Sequence, residues 1–85
     1  MNLEERVLKL VQETIKNENV SAEYIPGIKL DKDFSFDSLM IIALITTIED
    51  EFDFEFDFDE FDIENIYDLD EIINNVRNNT EKSSI

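Results

Sequence analysis

Residues 39–45, LMIIALI, form a run without one polar side chain. Wound into a helix, the run is apolar on every side, and such a helix needs neighbours around most of its circumference. The chain has 85 residues to supply them, a length that buries only about 60% of the surface its unfolded form exposes. The expectation is one small domain built around a helix over 38–52 that cannot be covered everywhere. Its inward stripe is read as Ile42, Ile45, Ile48 and Phe52, and some of Leu39, Met40, Ile41 and Ala43 are expected to face solvent or a partner. Just ahead of the run stands the polar pair Asp37-Ser38. Either residue can cap the helix, and a serine there can also be a nucleophile or a point of attachment.

The flanking segments read as further helices. In NLEERVLKLVQETIK, Leu3, Val7, Leu10, Val11 and Ile15 share one helical face, and Asn2 with Glu5 has capping-box spacing. From 17 to 36 the periodicity disappears, and the only proline and only glycine, Pro26-Gly27, mark a turn. A connection of that length needs pinning, for which Tyr24, Ile25, Ile28, Leu30, Phe34 and Phe36 are available. The stretch FDFEFDFDEFD, 52–62, alternates with period two, but no comparable second strand exists. It is therefore read as an extended connector that presses alternate phenylalanines into a helical core. Asp62 can cap a short helical turn through Tyr67, and Asp68 with Glu71 repeats the capping box ahead of Leu69, Ile72, Ile73 and Val76. That last helix is expected to fade near Asn79, giving a domain over 1–79 and a disordered tail over 80–85. The fold class is all-α, a small four-helix bundle with three main helices, one short helix and two long connections.

Composition removes most chemistry. With no cysteine and no histidine, disulfides, Cys/His zinc sites, a thiol nucleophile and the commonest general base are absent. No lysine lies between Lys32 and Lys82, so Ser38 lacks the base and orienting group of a serine hydrolase, and the chain is not expected to be an enzyme. No stretch approaches the roughly 18 apolar residues that span a bilayer, and MNLEERVLKL lacks the apolar core of a signal peptide. A cytoplasmic monomer without membrane insertion is expected. The net charge of -15 is uneven: 33–76 holds fifteen acids and no base, while seven acids balance seven bases elsewhere. That field repels nucleic acid and steers in a partner with a basic surface. Asp53, Glu55, Asp57, Asp59 and Glu64 match the acidic positions of an EF-hand count, but Phe58 stands where the loop needs glycine. Weak, nonspecific divalent binding is all these acids imply.

A phosphodiester on Ser38 would sit at the positive end of the helix dipole beside unpaired backbone N–H groups. The apolar flank would then meet whatever the attached group carries, which is the arrangement of a carrier. At these residues, FDSLMIIALITTIEDEF, the sequence resembles the acyl carrier protein family, and the resemblance runs from about Leu3 to Val76. The family shows a D-S-L attachment motif, an apolar helix, and an acidic patch ending in Glu-x-Phe, here Glu49-Asp50-Glu51-Phe52. The resemblance implies that Ser38, framed by Asp37 and Leu39, receives 4'-phosphopantetheine from coenzyme A through a phosphopantetheinyl transferase. The thiol of that arm would carry acyl or aminoacyl groups as thioesters. Helical spacing and charge, beside the resemblance, make Leu39, Met40, Ile41 and Ala43 candidates for the partner-facing surface next to Ser38, and Glu49, Asp50 and Glu51 candidates for docking to loading and transferring enzymes with basic surfaces. Typical fatty-acid carriers have acids where Met40 and Ala43 stand. The segment EFDIENIYDLDEIINNV is similar to the end of D-alanyl carrier proteins, without their tryptophan, at Ile66, or their threonine-proline pair, at Asp68-Leu69. The reading is a stand-alone acyl carrier protein, with an aminoacyl or peptidyl carrier as the alternative. An acidic interaction domain that is never modified is the alternative of another class.

Overall fold

The structure, a computed structural model, describes residues 2–15, 24–57, 59 and 63–81. Four α-helices make up its frame: α1 (Leu3–Ile15), α2 (Leu30–Asp33), α3 (Ser38–Phe52) and α4 (Leu69–Glu81), with a 3-10 turn at Ile63–Asn65. No strand occurs among the described residues. The all-α expectation holds, and α3 has the predicted bounds. The connection before it is not structureless, because α2 interrupts it.

Each long helix starts where its cap residue dictates. Asn2 Oδ1 accepts the Glu5 N–H at 2.8 Å, so one half of the predicted capping box is formed. Asp68 plays the same part for α4, its Oδ1 accepting the Asp70 N–H at 3.0 Å. Leu69, Ile72, Ile73 and Val76 then fall at the spacing i, i+3, i+4, i+7, and all four are buried. The helix runs through Glu81 rather than fading at Asn79. The proposed Asp62 cap and the tail beyond residue 81 lie outside the described residues, as does Phe58.

The core is formed by Val7, Leu8, Leu10 and Val11 of α1, the buried face of α3, the α4 stripe, and Ile28, Leu30, Phe36 and Phe56 from the connections. α1 packs against both α3 and α4. Leu8, outside the expected stripe of α1, is fully covered because the helix is packed against two neighbours.

The α3 stripe is rotated from the expected one. Ile41, Leu44, Ile45 and Ile48 are buried, whereas Ile42 is 60% exposed and Phe52 is half-buried. The cause is the apolar run itself: with 39–45 apolar on all sides, periodicity has no phase in that segment.

The long connection is clamped to the start of α4. Asp70 accepts hydrogen bonds from the Tyr24 hydroxyl and, at 2.9 Å, from the Gly27 N–H. Lys29 Nζ reaches Asp68 Oδ2 at 2.7 Å. Backbone bonds close the seam, from the Leu30 N–H to the Tyr67 carbonyl at 2.8 Å and from the Leu69 N–H to the Ile28 carbonyl at 3.2 Å. Gly27 has φ +88, the left-handed conformation that a Pro-Gly turn asks of its second residue. Ile28, Leu30 and Phe36 pin the segment as expected, with Tyr24 and Phe34 half-buried, but Ile25 is 62% exposed.

Candidate functional site

The approach to α3 is set by α2. The Leu30 carbonyl accepts the N–H groups of both Phe34 and Phe36, each at 3.1 Å. Ser35, between them, takes φ 58, a reversal that costs a non-glycine residue some strain. It turns the Phe36 ring into the core and delivers Asp37 to the head of the helix.

Asp37 is the N-cap. Its backbone is extended, at φ -108 and ψ -177, and its side chain accepts the Met40 N–H at 2.8 Å. The capping question raised by the sequence thus resolves on Asp37, which leaves the Ser38 hydroxyl unused as a cap. Ser38 is the first helical residue and is exposed. The N–H groups of Ser38 and Leu39 lie ahead of the first intrahelical bond, where the dipole is positive. The first turn of α3 contains no acid.

Beside Ser38 the exposed surface is apolar. Leu39 is 77% exposed, Ile42 and Ala43 are also exposed, and Met40 is half-buried. Ile41, expected on this surface, belongs to the core at 3% exposure. Ile42 takes its place, one residue along, because the helix presents i and i+3 on one face and Leu39 fixes that face. Sequence reasoning had assigned Ile42 to the interior.

At the other end of α3 the three acids have unequal surroundings. Asp50 is exposed. Glu51 lies 3.8 Å from Arg6, an exposed pair of the kind that contributes little. The Arg6 guanidinium also sits 4.5 Å from the centre of the Phe52 ring, a cation–π contact. Glu49 is half-buried and accepts the Phe56 N–H on Oε2 at 2.9 Å. By the helical rise, Asp50 lies about 18 Å along the axis from Ser38.

Shifted ionisations fall elsewhere, at the clamp on α4. The hydrogen bond to the Asp70 carboxylate, helped by burial, pushes the Tyr24 phenol up to about 12. Lys29 is raised by its hydrogen bond to Asp68. Burial alone would raise Asp68, but Lys29 and the N–H groups of Glu71 and Asp70 hold its carboxyl below the ordinary value. These groups hold the fold; none belongs to the Ser38 surface.

Among the described residues no group of His, Cys, Asp or Glu is arranged to hold a metal ion, and no helix is long and apolar enough to cross a membrane. An exposed hydroxyl at a positive helix end, flanked by apolar surface, suits covalent attachment of an anion-linked group. No match emerged among curated proteins or among solved structures. The family model described as "phosphopantetheine attachment site" does match, over residues 5–73, which takes in α2, α3 and most of α1. The chain belongs to that family, the carriers to which 4'-phosphopantetheine is covalently attached.

Proposed function

We propose that Ser38 is the residue to which 4'-phosphopantetheine is joined, and that the chain is a stand-alone, non-catalytic carrier of acyl or aminoacyl groups. The observation that carries the reading is the exposed Ser38 hydroxyl at the first position of α3, left unengaged because Asp37 does the capping. The residues present fit the group. The phosphodiester would lie against the Ser38 and Leu39 N–H groups at the positive helix end, where the Asp37 carboxylate is already turned to the Met40 N–H. Leu39, Met40, Ile42 and Ala43 would line the exit of the arm. When attached, the arm supplies the thiol that holds cargo as a thioester, so the absence of cysteine from the chain is no obstacle.

Docking to the transferase and to the loading enzymes falls to the same face of α3. Leu39 and Ile42 offer it apolar contact and Asp50, at nearly the Leu39 azimuth, offers negative charge lower down, while Glu51 lies about 120° round the helix from Leu39, beside Arg6. At the negative end of the helix dipole, Glu49 is offset by the Phe56 N–H and Glu51 by Arg6, while for the exposed Asp50 the position is unfavourable by about 0.3–1 kcal/mol. A position that costs stability is more readily explained by attraction to a basic partner surface.

The test is intact-protein mass after incubation with coenzyme A, magnesium and a broad-specificity phosphopantetheinyl transferase. Wild type and Ser35→Ala are expected to gain one phosphopantetheine moiety, and Ser38→Ala none. An unmodified wild type with several transferases would favour the acidic interaction domain instead.

A further inference from the structure

We infer that Glu49 is a positioning residue, which fixes the path of the chain leaving α3 and acts on partner docking only through that path. One residue takes up three N–H groups of the departing chain. Its carbonyl accepts from the N–H of Asp53, which sits in the left-handed conformation at φ 55, and from the N–H of Phe54 at 3.3 Å. Its carboxylate accepts from Phe56 at 2.9 Å.

The third bond is the one that matters for packing. Phe56 is 6% exposed and its ring lies 4.9 Å from that of Phe54, centre to centre. The amide that turns this ring inward is half-covered, and a covered N–H needs an acceptor; a carboxylate makes the stronger, charge-assisted kind. Asp50, one residue on, projects about 100° round the helix and is exposed. Neighbouring acids therefore have opposite duties. A basic group drawn toward Glu49 finds Oε2 already engaged by the Phe56 amide, while one drawn to Asp50 meets an exposed carboxylate.

Glu49→Gln separates the two roles, because it removes the charge and keeps an acceptor oxygen. Two quantities would be measured in wild type, Glu49→Gln, Glu49→Ala and Asp50→Asn: amide hydrogen exchange at Phe56 by NMR, and KM and kcat of a phosphopantetheinyl transferase. Exchange at Phe56 is expected to stay within about twofold of wild type in Glu49→Gln and to accelerate about tenfold in Glu49→Ala. KM is expected to rise less in Glu49→Gln than in Asp50→Asn, where loss of an exposed docking charge raises it about threefold. Unchanged Phe56 exchange in Glu49→Ala would overturn the inference. So would a Glu49→Gln that raises KM as much as Asp50→Asn while keeping Phe56 protected. The KM comparison rests on the carrier reading; a wild type that no transferase modifies counts against that reading, and the exchange data still decide the role of Glu49.

Discussion

The carboxylates that hold the long connection to α4 should give stability a dependence on pH at both extremes. For Tyr24, the folded phenol keeps its proton to about 12 while the unfolded one loses it near 10.0. Its contribution is therefore complete below pH 10 and declines as pH rises through the interval. Lys29, also raised, acts in the same direction above its ordinary value of 10.5. Asp68 has the opposite sign: held below its ordinary 3.8, it contributes above that value and loses the contribution as pH falls through its folded one. Denaturant unfolding followed from pH 3 to 12 should show both declines, and Tyr24→Phe should shrink the alkaline one while leaving the acid one. An alkaline decline of the same size in Tyr24→Phe would contradict the assignment. Among single residues, the cap at the start of α3 was legible in the sequence to within the pair Asp37-Ser38, and the structure resolves it on Asp37. The Glu49 bond was not, because it depends on the path the chain takes seven residues later.

At the scale of the element, α3 carries the clearest test of which face is which. Ile41→Ala removes methylene groups from a filled core, for a loss of about 2–5 kcal/mol. Ile42→Ala, at 60% exposure, should change stability by about 0.5 kcal/mol or less while slowing transferase loading. The pair is to be compared by thermal melts and loading rates; equal destabilisation would contradict the assignment of faces, and a larger loss in Ile42→Ala would show the helix turned the other way. The bounds of α3 could be read from the sequence because caps and composition mark helix ends; its rotation could not, because phase is read from polar residues and 39–45 has none. α2 escaped for a related reason: a four-residue helix with one buried residue, Leu30, shows no period. Over its described residues, the connector of alternating Phe and acid forms no strand, as expected. A strand needs a ladder partner, and residues 54–57 instead leave the end of α3 without regular secondary structure, with Phe56 in the core.

For the whole molecule, charge is the dominant departure from an ordinary small domain. A net charge of -15 on 85 residues makes the folded state repel itself, and salt relieves that repulsion within a Debye length of about 8–10 Å near 0.1–0.15 M. The melting temperature of the apo protein is expected to rise with sodium chloride and more steeply with magnesium; indifference to both would remove self-repulsion from the account. Along α3 the charge is uneven, with Glu49, Asp50 and Glu51 at one end and, past the Asp37 cap, a first turn of apolar surface at the other. Whether that surface serves an attached arm is settled at one atom. Loaded protein cut by trypsin yields a fragment over 33–77, since no lysine or arginine lies between Lys32 and Arg77, and its only serines are Ser35 and Ser38. Fragmentation that retains the modification should place the phosphopantetheine mass on Ser38, with the backbone ion ending at Ser35 unshifted. The mass on Ser35, or on no serine of this fragment, would contradict the central claim.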